Sequence, residues 1–253
     1  MSSGTDWLNT ATGRNLLREE VRQVRRTLES TFGDQFIQVG SWGGPGLFRR
    51  LARTRRATVL SPHHGPGVDV VCDPETLPLV AESIDAVLMP HTLELAEDPY
   101  AVLREVDRVM RSDGQLVVLG FNPWGLWGLM HRIGRQGFPP GALRLISDGR
   151  LSDWLRLLDF RVHHSAFYYY ATPCVRGVEA ISRRDRRPAE SPPRGALAPT
   201  ALARIARHIR PLAACYVVVA KRQTHAVTPI RLPWRRQTRV LGRLVNPTPR
   251  SAA

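Results

Sequence analysis

Between Val68 and Pro123 apolar runs of strand length alternate with one amphipathic stretch. The runs are VDVV, IDAVLM and QLVVLG, and Asp98 to Arg111, between the second and third, carries apolar residues at helical spacing. Strands alternating with helices predict a parallel sheet covered on both faces, whose ligands sit at the carboxyl ends of the strands. Upstream, Leu16, Leu17, Val21, Val24 and Leu28 predict a helix over Asn15 to Ser30, which Gly33 and Asp34 end. FIQVG and ATVLS read as two further strands joined by a loop and helix, GGPGLFRRLARTRR.

Downstream, Trp124, Leu126, Trp127, Leu129 and Met130 share a short helical surface. A helix over Ser147 to Leu158 has Ser147 and Asp148 as caps. FRVHHSAFYYYA predicts a strand with Phe167, Tyr169 and Ala171 on one face and Tyr168 and Tyr170 on the other. A basic helix, ALARIARHIRPLAA, leads into the apolar strand CYVVVAKR. Seven strands are therefore expected near 36–40, 57–61, 68–71, 84–89, 115–120, 160–170 and 215–220. The expected fold is α/β, a doubly wound sheet with helices on both faces. Residues 1–33 are expected to form a helical extension and 34–222 the main domain, with a Pro/Arg-rich insertion about 183–200 and a basic, disordered tail over 223–253.

Charge changes this picture only at the end of the chain. The formal net charge is +14, yet residues 1–190 carry 24 basic and 22 acidic side chains, while 191–253 carry twelve basic and no acidic ones. Residues 191–253 could touch nucleic acid or an anionic surface, or be a solvated end. All but one of the basic residues are arginine, Lys221 being the exception. Cys72, Cys174 and Cys215 have no neighbours at metal-ligand spacing, so no metal is expected. No run approaches the ~18 apolar residues of a membrane span, and the start lacks a signal-peptide stretch, so a cytoplasmic protein without a transmembrane segment is expected.

Several ordered motifs within this frame resemble one family. Asp73-Pro74-Glu75-Thr76-Leu77-Pro78 closes the third strand and Ile84-Asp85-Ala86-Val87 opens the fourth. Leu93-Glu94 and Asp98-Pro99 introduce the next helix, and Asp113-Gly114-Gln115-Leu116 opens the fifth strand. With CYVVVAKR as the last strand, the chain resembles class I S-adenosylmethionine-dependent methyltransferases of the small-molecule type. That resemblance implies a Rossmann-like seven-stranded sheet whose last strand is antiparallel, and S-adenosyl-L-methionine as cofactor.

By the same resemblance Asp73 would fix the adenine, with Leu77 as an apolar wall. Gly40, Trp42 and Gly44 stand at the Gly-x-Gly-x-Gly loop, where Trp42 replaces the middle glycine and Gln38 the preceding acid. The bulky ring would either block close approach of a ligand or turn outward and leave the loop to Gly43 and Gly44. Ser61 stands where an acid would bind the ribose. His91, just past the fourth strand, would face the methyl end of the cofactor and could serve as a base, or could bond to backbone at the strand end. Asn122 and Trp124 could line the substrate side. Three functions follow: a methyltransferase for a small or lipid-like acceptor, a non-catalytic binding protein that kept the fold, or a nucleic-acid methyltransferase using the basic tail. Neither acceptor nor oligomeric state is encoded in these motifs.

Overall fold

The computed structural model describes residues 6–29, 31–133, 141–170 and 212–223. The Pro/Arg-rich insertion, the basic helix up to residue 211 and the tail from residue 224 lie outside the described residues. Seven strands form one sheet in the order β3-β2-β1-β4-β5-β7-β6. They are β1 (Gln35–Val39), β2 (Arg56–Ser61), β3 (Val70–Val71), β4 (Ile84–Pro90), β5 (Met110–Phe121), β6 (Phe160–Tyr168) and β7 (Cys215–Arg222). Pairing is parallel from β3 to β5, whereas β7 runs antiparallel to both β5 and β6. The expected doubly wound fold and antiparallel last strand are both present.

Alternation of side chains along each strand divides the apolar residues between two faces. On one face, α1 (Ala11–Leu28) sets Leu16, Val24 and Leu28 against Phe36, Leu88, Val117 and Leu119. On the other, α3 (Pro99–Val109) and α5 (Asp148–Leu157) set Val102, Val106, Leu151 and Leu155 against Val87, Leu116 and Val218. The helix starts follow capping chemistry. Thr10, Asp98 and Ser147 each accept a backbone N–H of the first turn, and Pro99 fills the first position of α3. Two short elements complete the set: α2 (Thr92–Leu95), just after β4, and α4 (Leu126–Ile133), just after β5.

The Asp85 of the fourth-strand motif has a structural duty. Its Oδ2 accepts the backbone N–H of Asp34 (2.8 Å) and Gln35 (2.9 Å), and its Oδ1 the guanidinium of Arg111 (2.9 Å). One carboxylate thus joins the starts of β1, β4 and β5.

Four differences from the sequence expectation have local causes. Strand β3 shrinks to two residues because Asp69 turns away, accepting Val59 N–H and pairing with Arg49. The helix expected after the glycine loop is a single 3-10 turn, Arg49–Leu51. Strand β5 begins at Met110 and passes an irregularity near Asp113, whose φ is 76°. Strand β6 stops at Tyr168 because Tyr169 has φ 59°. That reversal breaks the expected alternation, so Tyr168 and Tyr169 both pack against the α1-side cluster. Among the described residues no helix is long and apolar enough to cross a membrane.

Candidate functional site

The carboxyl ends of β1, β2, β4 and β5 lead into the residues singled out from sequence. After β1, Gly40, Gly43, Gly44 and Gly46 all have positive φ, so the loop is built from conformations other residues seldom adopt. A Cβ at Gly40 would lie 2.8 Å from Thr92 Oγ1, which donates to Val39 O, so this glycine serves the packing of α2. A Cβ at Gly44 or Gly46 meets nothing within 4 Å, so that side of the loop is open.

Trp42 does not turn outward. It turns inward and is buried, and its Nε1 donates to Glu20 Oε2 at 2.8 Å. Its ring centroid lies 4.5 Å from that of His91 and 5.9 Å from those of Trp7 and Phe121. Trp127 of α4 extends the wall, stacking on Phe121 at 5.8 Å.

His91 is at the centre of this enclosure and is wholly buried. It adopts the left-handed conformation (φ 54°, ψ 22°), and its N–H is anchored to Leu119 O at 3.0 Å. Such a conformation is costly for a non-glycine residue and often marks functional positions. Its imidazole does not bond to backbone. Nε2 lies 2.8 Å from Glu20 Oε1, the Phe121 ring stacks on it at 3.9 Å, and Nδ1 has no hydrogen-bond partner. Nδ1 is 4.0 Å from Glu94 Oε1.

Two acids of this site were not singled out from sequence. Glu20 lies at the fourth-residue spacing of Leu16, Val24 and Leu28, so the signal was an acid inside an otherwise apolar helical stripe. Glu94 belonged to the quoted Leu-Glu pair without a role. Its Oε1 accepts Phe121 N–H at 2.7 Å, while Oε2 has no partner. Burial pushes the Glu94 carboxyl up, and His91 and the Phe121 N–H pull back only part of the way.

A carboxyl whose folded-state value is raised binds its proton more tightly in the fold, so stability falls as pH climbs from the ordinary carboxyl range through the raised value. Glu94→Gln keeps an acceptor for Phe121 N–H and removes that decline. The stability of the variant relative to the parent chain should therefore grow between about pH 4 and pH 8, measured by urea unfolding. Parallel curves would show that Glu94 ionises without penalty.

The remaining predicted residues separate into two groups. Asp73 Oδ1 accepts Glu75 N–H at 2.9 Å and shapes the turn after β3, leaving the residue exposed. Leu77 is buried and held by its neighbours: its N–H donates to Glu105 Oε2, and its carbonyl accepts from Arg108. Ser61 is buried, with Oγ accepting His63 N–H at 3.4 Å, and Gln38 Nε2 folds back onto Gly40 O at 2.7 Å. Asn122 is buried too. Its Nδ2 donates to Ala213 O and its Oδ1 accepts Trp124 N–H, so it ties the end of β5 to the approach to β7. Trp124 is 67% exposed, with the Arg132 guanidinium 5.0 Å over its ring.

One ligand atom each of Glu20, His91 and Cys215 lies within 4.8 Å of the other two, a set able to hold a metal ion that the sequence spacing did not reveal. Two of the three already satisfy each other, and burial pushes the Cys215 thiol well up, which favours its neutral form. A cavity of about 730 Å³ lies elsewhere, at the amino ends of β1, β2 and β4, lined by Asp34, Arg55, Arg56, Ser83 and Arg111.

For an adenosyl ligand the open face at Gly44 and Gly46 and the Asp73–Leu77 turn fit. The ribose and methionine ends lack the charged partners, since Ser61 and Gln38 are turned into the protein.

The Methyltransferase domain family matches residues 49–118, from the turn after the glycine loop into β5. Among solved structures, a methyltransferase from Archaeoglobus fulgidus described as SAM-dependent is similar at TM-score 0.55, with 17% identity over 83% of this chain and 94% of that one. A chain from the complex between the Haloferax volcanii Trm112 methyltransferase activator and a methyltransferase reaches 0.58, with 14% identity over 88% and 99%. At these identities the likeness is one of fold. The chain belongs to the class I S-adenosylmethionine-dependent methyltransferase family. Within it, the chain is 31% identical over 165 residues to the uncharacterized protein YafS of Escherichia coli, covering 64% of this chain and 68% of that one.

Proposed function

We propose that this chain transfers a methyl group from S-adenosylmethionine to a small or lipid-like acceptor, at the enclosure around His91. The observation that supports this most is the pairing of an open glycine-loop face at Gly44 with an unpartnered, buried His91 Nδ1 at the end of β4. The cofactor, when bound, supplies an electrophilic methyl group. Asp73 would accept a hydrogen bond from the adenine, Leu77 would wall the ring, and the Gly40–Gly46 loop would carry the amino-acid portion. Trp42, Phe121 and Trp127 keep water from His91, whose Nδ1 lone pair would take the acceptor's proton. Holding acceptor and methyl group in line accounts for most of the acceleration in such a displacement.

Calorimetry with S-adenosylmethionine and S-adenosylhomocysteine tests the reading. Micromolar binding is expected, and Asp73→Ala should weaken it about tenfold or more, since one charge-assisted hydrogen bond contributes about 1.5–3 kcal/mol. Absence of heat at millimolar cofactor would sink the proposal.

A second reading, a binding protein that kept the fold without catalysis, is favoured by Gln38 and Ser61, whose side chains turn away from the expected cofactor contacts. The same titration separates the two.

A further inference from the structure

We infer that Glu20 is a positioning residue that fixes the tautomer of His91, and that the acceptor is a hydroxyl. The inference rests on the proposed methyl transfer at His91. A carboxylate only accepts hydrogen bonds, and Glu20 Oε2 already accepts Trp42 Nε1–H at 2.8 Å. Its Oε1, 2.8 Å from His91 Nε2, therefore calls for the proton on Nε2. Nδ1 is left with its lone pair, buried and without a partner. Three elements maintain this arrangement: α1 supplies Glu20, the glycine loop supplies Trp42, and the end of β4 holds His91 in the left-handed conformation.

An enclosed base of this kind points to one acceptor class. A neutral amine attacks with its own lone pair and sheds its proton afterwards, a carboxylate has none to lose, and a thiol ionises near neutrality unaided. A hydroxyl gains most from a base in place as the bond forms. In the step, the acceptor oxygen forms the O–CH₃ bond, the C–S⁺ bond breaks with its electron pair returning to sulfur, and the O–H proton passes to Nδ1. His91 is closed off here, so an acceptor must displace part of the wall. Trp7, on the four-residue 3-10 turn Asp6–Asn9, bridges Trp42 and Trp127 by edge contacts at 5.9 and 5.8 Å.

The test needs neither cofactor nor acceptor. In protein labelled with ¹⁵N-histidine, two-bond proton–nitrogen spectra report the tautomer of each of the eight histidines, and His91→Gln assigns the signal of interest. The expected result is the Nε2–H form in the parent chain. In Glu20→Gln, whose amide can donate to Nε2, the Nδ1–H form should take over.

An Nδ1–H form in the parent chain, or an unchanged tautomer in Glu20→Gln, overturns the inference. So does stoichiometric zinc by elemental analysis, since the ion would take Nε2. Failure of cofactor calorimetry would instead remove the proposed function and leave the tautomer result standing. With phenols of graded acidity as probe acceptors, Glu20→Gln should lower kcat most for the least acidic and leave KM within about twofold. Equal loss across the series would overturn the assignment of a hydroxyl acceptor.

Discussion

Glu20→Ala should destabilise the fold by about 3–5 kcal/mol, because a buried acceptor shared by two buried donors is removed. The loss is large because one carboxylate serves two donors. Without it, Trp42 Nε1–H and His91 Nε2 are both stranded in a wholly buried setting, at 2.8 Å from where their acceptor had been. Leaving a buried donor without a partner costs about 1–3 kcal/mol, and two such groups together account for a loss of this size.

For a domain of this size each kcal/mol moves the midpoint by about 2–4 °C, which puts the expected fall in Tm at roughly 6–20 °C. Glu20→Gln should lose less, since its carbonyl still accepts from Trp42. The double variant Glu20→Leu/His91→Phe should recover part of the deficit, because both polar partners are gone together. A loss below about 1 kcal/mol for Glu20→Ala would mean that water reaches the pair, and the enclosure would have to be redrawn.

The parts of the fold legible in sequence were those set by periodicity over a full element. The stripe Leu16, Val24, Leu28 and the runs IDAVLM, QLVVLG and CYVVVAKR became α1, β4, β5 and β7. The expected cap Ser147 became an N-cap, as did the Asp98 that introduces α3, because an acceptor before an apolar stripe has one obvious partner, the first-turn N–H. What failed was set by single residues whose partners are distant in sequence. Asp69 shortened β3 by turning to Val59 and Arg49, and the positive φ of Tyr169 ended the alternation of β6.

The site follows the same division. Asp73, Gly44 and His91 could be placed because each follows a strand. Glu20 could not, since its significance comes from partners 22 and 71 residues away. An acid in an apolar stripe announces only that something polar must meet it.

Trp42→Ala should cost about 3–5 kcal/mol while leaving affinity for S-adenosylmethionine within about threefold of the parent chain. The stability loss follows from burial. The indole fills space between Trp7, Phe121 and His91, and its Nε1–H satisfies one oxygen of a buried carboxylate. Truncation opens a cavity and strands Glu20 Oε2 at once. The unchanged affinity follows from direction. The ring packs among the side chains around Glu20, whereas the open face of the loop lies at Gly44 and Gly46, where an added Cβ meets nothing.

If the affinity is unchanged, a large residue at the middle-glycine position is compatible with cofactor approach because it leaves the loop inward instead of standing across it. Two measurements on one protein decide this: urea unfolding for the first half and calorimetry with the cofactor for the second. A tenfold gain in affinity on removing the ring would mean that it competes with the cofactor. In that case Trp42, as much as Gln38 or Ser61, would set this chain apart from its family.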